Sequence, residues 1–173
     1  MENVEKTIES HKHQVFTFAY RFLDDRAEAE DVTQEVLVRL WKHHATLDPS
    51  RVKAWLIRVT RNACLDVTRK RKRRRALGDR GNYENAIEVV ASEEPHPESA
   101  LVLSEVGKQV KAALDDLAEP YKTVVVLREI QGMTYDEVSQ ALEMPLNTVK
   151  VYLHRGRRKL RDALRERRAN GEL

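Results

Sequence analysis

The chain has 173 residues, of which 34% are charged and 6% aromatic, and it holds one cysteine. That length makes one medium domain or two small ones, no apolar run reaches the roughly 20 residues that span a bilayer, and one thiol excludes an internal disulfide framework or a multi-cysteine zinc site. The net charge of +3 hides a segregation: residues 1–50 carry −4, residues 51–80 carry +10, residues 81–147 carry −9 and residues 148–173 carry +6. The N-terminus, MENVEKTIESHKHQ, lacks the apolar stretch of a signal peptide, so a cytoplasmic location is expected.

Long 3.6-residue periodicities and few glycines and prolines predict an all-α fold. The first helix is expected from about Val4 to Leu23, with Val4, Ile8, Val15, Phe18, Ala19 and Phe22 on one side. After a turn at Asp24-Asp25, a second helix covers about Ala27 to His43, with Val32, Val36, Leu40 and Trp41 inward. Thr46 to Ser50 is a short loop, because Asp-Pro favours a turn. The third helix runs from about Arg51 to Arg74, and its inward stripe is Val52, Leu56, Val59, Ala63 and Val67. Residues 76–97 lose the periodicity and hold two prolines and several acids, which predicts an acidic flexible linker. Helical pattern resumes with Leu101, Leu103, Val106, Val110, Leu114 and Leu117. Pro120 suits the first turn of the next helix, which carries Val124, Leu127 and Ile130 and ends at Gln131-Gly132-Met133. Thr134 and Glu137 form a capping box for a short helix ending near Glu143. Beyond Pro145 a last helix covers about Asn147 to Arg168. The expected architecture is two small helical domains, three helices and then four, each small for a stable core.

Thr134 to Leu153 reads as helix, tight turn, helix. Val138, Leu142, Val149, Leu153, Gly156, Leu160 and Leu164 form its inward seam. At 100° per residue the opposite face of the last helix holds Asn147, Val151, His154, Arg155 and Arg158, with Lys150, Arg157 and Arg161 on its flanks. A short helix propping a longer basic one is the geometry that places a helix N-terminus in the major groove. Asn, His and Arg suit base edges there, and flanking cations suit phosphates. The competing reading of the same spacing is a helical hairpin with a solvated basic face.

Leu127 to Val138, followed by Asn147-Thr148-Val149-Lys150 and Arg155-Gly156-Arg157-Arg158-Lys159-Leu160, resembles region four of sigma factors, the promoter-specificity subunits of bacterial RNA polymerase. Three departures stand out. Glu143 occupies a turn position where glycine is common, Asn147 replaces the glycine usual before Thr-Val-Lys, and Val151-Tyr152 replaces a more polar pair. The resemblance implies −35 promoter recognition by Asn147, Thr148, Lys150, Val151, His154, Arg155, Arg157 and Arg158.

Arg26 to Trp41 is similar to region two of the same family. Asp31, Gln34 and Glu35 share one helix face away from Val32 and Val36. The resemblance implies that this face docks on the clamp helices of the polymerase's largest subunit; read alone, it is an ordinary solvated acidic face. Trp55 to Asp66 is similar to the family's −10 reader. That likeness implies a base-holding pocket formed by the loop Asp48–Lys53 and the start of the third helix, with Asn62, and phosphate contacts from Lys53, Arg58, Arg61 and Arg69. Trp55 is either a stacking platform or a boundary tryptophan. Arg69 to Arg75 is seven consecutive cations; alone it reads as a solvated charge run or a nuclear-localisation-like patch, and beside these motifs as a phosphate-binding helix end whose affinity should fall with salt.

As a whole the chain resembles the extracytoplasmic-function (ECF) branch of sigma-70 factors. The implied layout is region two over 1–75, an acidic linker over 76–97 and region four over 98–173. The implied partners are core RNA polymerase (clamp of the largest subunit, flap of the second-largest), promoter DNA and an anti-sigma factor. No cofactor or metal is expected. Two promoter elements lie on the order of 70 Å apart, and some 20 extended residues reach at most about 65–70 Å, so the linker suffices only when extended. Three other classes compete, one of them an RNA-binding or structural helical protein. An enzyme has little support, because no phosphate loop, nucleophile elbow or HExxH occurs, and His11 and His13, two apart, face different sides of a helix. An autonomous helix-turn-helix regulator would bind duplex DNA without polymerase. Cys64 lies beside the core stripe and is expected to be a small buried apolar group.

Overall fold

The structure, a computed structural model, describes residues 4–77 and 105–169. Helix α1 (Val4–Leu23) buries Val15, Phe18, Ala19, Phe22 and Leu23 along one stripe. It stops at Asp24, whose φ of 54° is left-handed and whose N–H donates to Tyr20 O at 3.0 Å. Asp25 then caps α2 (Arg26–His43), its carboxylate accepting from Glu28 N at 2.9 Å. Two 3₁₀ turns, His44–Thr46 and Pro49–Arg51, lead into α3 (Val52–Ala76). The three helices pack on one another around Phe18, Val36, Leu40 and Leu56, all essentially buried.

The second half begins with α4 (Glu105–Asp115). Helix α5 (Tyr121–Val125) starts behind Pro120 and passes into a π-helical turn, Val126–Ile130, where Gln131 N reaches back to Val126 O at 3.1 Å. Gly132 (φ 65°) turns the chain. Helix α6 (Tyr135–Leu142) opens with the expected capping box: Thr134 Oγ1 accepts from Glu137 N at 3.2 Å, and the Glu137 carboxylate accepts from Thr134 N at 2.7 Å. It ends on Glu143 in the left-handed region (φ 52°). Helix α7 (Leu146–Ala169) packs on α4, α5 and α6. Thr134→Ala removes one half of the box and should cost about 1 kcal/mol; a denaturant midpoint measured on the full chain checks it.

This is the all-α, three-plus-four-helix architecture expected, and the linker, apart from Ala76 and Leu77, lies outside the described residues, as do Leu101 and Leu103. Three expectations need correction. Trp41 is 64% exposed rather than inward, because Val32, Val36 and Leu40 already fill the buried stripe of α2 and Trp41 lies one residue, or 100°, beyond it. Val106 is also exposed, whereas Val110 is half-buried. On α3, Val52, Leu56, Ala63 and Cys64 are buried as expected, but Ile57 and Thr60 are buried as well. The cause is that α3 packs on two sides, against α1 and α2 and against α6. The buried apolar side chains of both halves therefore form one continuous cluster rather than two separate cores.

Candidate nucleic-acid interfaces

The capping box fixes where α6 starts, and the left-handed turn at Glu143 fixes where α7 follows. Pro145 O accepts from Thr148 N at 2.9 Å and from Val149 N at 3.1 Å, closing the first turn of α7. Val149, Leu153 and Gly156 then face inward. The opposite face carries Asn147, Lys150, Val151, His154, Arg155 and Arg158, all exposed, with Thr148 half-buried at its edge. The side chains of Lys150, His154, Arg155 and Arg158 make no ion pair or hydrogen bond with another described residue. Four unpartnered side chains on an exposed helix face can donate to base edges and phosphate oxygens without first breaking anything. Arg157 differs. Its Nε and Nη2 donate to Glu129 Oε1 at 3.0 and 2.5 Å, which turns it to the flank beside Leu160.

On α2, Asp31, Gln34 and Glu35 are exposed on one face as expected, and Glu35 pairs with Arg39 one turn on. Val38 (50% exposed) and Trp41 extend this face along the same side. The result is an acidic strip with an apolar end.

The α3 residues are divided. Asn62 and Arg69 are exposed, Arg69 pairing with Asp66 at 3.1 Å. Trp55 is half-buried with its ring 6.1 Å from that of His43. Asp48 caps the second 3₁₀ turn, accepting from Ser50 Oγ at 2.8 Å and Ser50 N at 2.9 Å; those bonds hold its carboxyl below the usual range. Lys53, Arg58 and Arg61 are half-buried and meet the second half of the chain. Lys53 Nζ donates to Glu137 at 2.6 Å, Arg58 pairs with Glu143, and Arg61 reaches Glu119 at 3.2 Å and Thr123 at 3.3 Å. The hydrogen bond from Lys53, then the one from the Thr134 amide, holds the Glu137 carboxyl below its ordinary range. A depressed carboxyl contributes stability above the ordinary glutamate pKa and loses it as pH falls through its own.

Sequence reasoning missed two positions. Within the cation run, Arg71 points inward: it donates to Leu23 O at 2.9 Å and pairs with Glu28, tying the end of α3 to the α1–α2 corner. Lys122 is 9% exposed, its Nζ bonding Phe22 O and Asp115, each at 2.8 Å. Neither has a local sequence signal: the partners of Arg71 and the Phe22 carbonyl on Lys122 lie across the fold, and Asp115 stands seven positions before Lys122 with Pro120 between them. Cys64 is fully buried as expected, and burial pushes its thiol up to about 12. Among the described residues no helix is long and apolar enough to cross a membrane, and no group of three or more His, Cys, Asp or Glu is placed to hold a metal.

Two family models match the chain: Sigma-70 region 2 over residues 7–74, and Sigma-70, region 4 over residues 107–160. Among curated proteins it is 35% identical over 164 residues to the ECF RNA polymerase sigma factor SigE of Mycolicibacterium smegmatis, covering 95% of this chain and 62% of that relative. It is 29% identical to the ECF RNA polymerase sigma factor SigW of Bacillus subtilis, covering 92% of this chain and 87% of that one. Among solved structures it shares its fold with the sigma factor RpoE of Bartonella quintana, solved with the anti-sigma factor NepR (TM-score 0.70, 24% identity, 95% of this chain and 98% of that one). It shares it also with CnrH, solved with the cytosolic domain of CnrY (TM-score 0.68, 22% identity, 94% and 88%). Region two and region four in order, on three and four helices with a helix-turn-helix, make this chain a member of the ECF subfamily of sigma-70 RNA polymerase sigma factors.

Proposed function

We propose that the chain docks on core RNA polymerase and directs it to promoters by reading −35 duplex DNA and holding melted −10 DNA. The observation that carries this is the unpartnered basic face of α7, presented at a helix N-terminus by the capped α6 and the left-handed turn before it. Asn147, Lys150, Val151, His154 and Arg158 read base edges in the major groove, and Thr148, Arg155 and Arg157 hold the flanking backbone. Residues 98–173 form this unit. Residues 1–75 form the other. There Asp31, Gln34 and Glu35, extended by Val38 and Trp41, dock on the clamp of the largest subunit. The loop Asp48–Lys53, with Trp55 and Asn62, holds an unstacked base, and Lys53, Arg58, Arg61 and Arg69 hold the phosphates of the melted strand. Residues 76–97 span between them. An anti-sigma factor is a further partner, because a sigma factor of the same fold is held by one.

Transcription from genomic DNA with core enzyme, followed by mapping of start sites, tests the reading. Start sites preceded by two shared sequence patches about two helical turns apart are expected. Specific duplex binding by the chain alone, with no initiation on adding core enzyme, would establish an autonomous regulator instead. Lys150→Ala or Arg158→Ala should each weaken −35-dependent initiation about 5- to 150-fold, as loss of a base contact worth about 1–3 kcal/mol. Equal losses on a promoter with a scrambled −35 element would remove the base-reading role.

A further inference from the structure

Among the described residues of α7, Val151 is the one large apolar side chain left exposed, at 45%. Val149 and Leu153, two positions before it and two after, are each 1% exposed. At 100° per residue Val151 points directly away from their midpoint, so it stands at the centre of the outer face. Asn147, His154 and Arg155 surround it at i−4, i+3 and i+4, all exposed. Its sequence neighbour Tyr152 turns the other way, its ring meeting that of Tyr121 edge-on at 5.7 Å. Of the Val151-Tyr152 pair that departs from the family pattern, only Val151 lies on the outer face.

Folding gives no reason for valine here. A β-branched side chain loses rotamer freedom in a helix, and alanine, lysine or arginine would form the helix more readily. An exposed position offsets none of that with core packing. What valine does supply is a rigid apolar surface: its χ1 has one favoured helical rotamer, so little freedom remains to be lost on contact. Its neighbours on the face are polar, so an apolar partner has to come from the ligand. In a major groove the bases present hydrogen-bond donors and acceptors and one apolar group, the C5-methyl of thymine.

We propose that Val151 selects a thymine in the −35 element by packing on its C5-methyl group. The inference rests on the promoter reading above and adds to it the identity of one base. Val151 lies about 7.5 Å along the axis from Leu146, within the N-terminal turns that meet base edges. Standing opposite the buried seam, it reaches deepest into a groove that α7 enters. The contact takes both methyl surfaces out of water. It distinguishes thymine from cytosine, whose C5 carries only hydrogen, at a point where none of the surrounding donors can do so through an apolar contact.

The test uses the full chain with core RNA polymerase, below saturation, on a promoter mapped as above. Each thymine of the −35 element, on either strand, is replaced in turn by deoxyuridine, which pairs in the same way and lacks the methyl. With the wild-type chain one such replacement should lower the initiation rate about three- to fivefold, as the loss of one buried methyl contact. With Val151→Ala the thymine promoter should start lower by a similar factor, and the same replacement should then change nothing, because the contact is already gone. The variant's melting midpoint should be unchanged or higher, since alanine forms helix more readily, so the loss is not one of folding. A replacement that costs both chains equally, the absence of any methyl-sensitive position, or a −35 element without an A·T pair would overturn the proposal. If the wild-type chain with core enzyme gives no −35-dependent initiation, the promoter reading itself fails, so the two failures are told apart.

Discussion

Gly156→Leu is expected to unseat α7 from α5 and to lower the stability of the chain by about 2–3 kcal/mol. A Cβ at position 156 would stand 2.7 Å from Val125 Cγ2 and 3.5 Å from both Tyr121 Cβ and Tyr121 O. Val125 cannot step aside, because it is 1% exposed and β-branched, with one favoured helical rotamer. Glycine in mid-helix is itself unfavourable by about 1 kcal/mol against alanine, so Gly156→Ala should cost less than Gly156→Leu, its clash partly offset. The functional loss should exceed the thermodynamic one. Lys150, His154 and Arg158 ride on the same helix, and a shift of α7 against α6 moves all of them relative to the groove together. Denaturant titration and −35-dependent initiation are the two measurements. Adding Val125→Ala to Gly156→Ala should recover most of the loss, and a Gly156→Leu chain as stable as the wild type would show that the two helices do not depend on this contact.

Reversing the outer face of α2, Asp31→Arg with Glu35→Arg, should weaken association with core polymerase about 100-fold while leaving the melting transition nearly unmoved. Both side chains are exposed and neither supports the buried stripe, so the folded state loses only the Glu35–Arg39 pair, worth a few tenths of a kcal/mol. Charge reversal at a complementary interface acts twice, removing an attraction and adding a repulsion. Trp41→Ser adds a second test on the same face, since a well-exposed tryptophan beside acids has the character of an interface anchor. Co-purification with tagged core enzyme, with the mutant and wild-type chains in competition, checks both; undiminished capture would take the docking role away from this face.

What the sequence makes legible follows from what is local. Asp25, Thr134 with Glu137, and the Asp48 turn are caps whose partners lie within three residues, and all are found where the residue types call for them. The apolar seam of α7 and its exposed basic face follow from one angle per residue. Helix periodicity reports one buried side, so it misplaced Trp41 and gave no sign that Ile57 and Thr60 join Cys64 in a second buried stripe on α3. The pairings of Lys53, Arg58, Arg61, Arg71 and Lys122 link residues separated by 43 or more positions, except Lys122 with Asp115. A cation run in sequence does not show which member turns inward. Glu143 was visible as an unusual residue for its turn, but its partner on α3 is a tertiary fact.

The continuous apolar cluster changes what a melting experiment on the free chain means. Two halves of this size, each alone, would expose a large share of their apolar surface and be marginal. Joined through α3 and α6, they form a single cooperative unit, so heat or denaturant should give one transition whose denaturant slope reflects the full length rather than two shallow ones. A lesion deep in the first half, such as Phe18→Ala, would then lower the midpoint reported by probes on α7. Cutting the chain between the halves would yield fragments less ordered than the parts they were meant to represent.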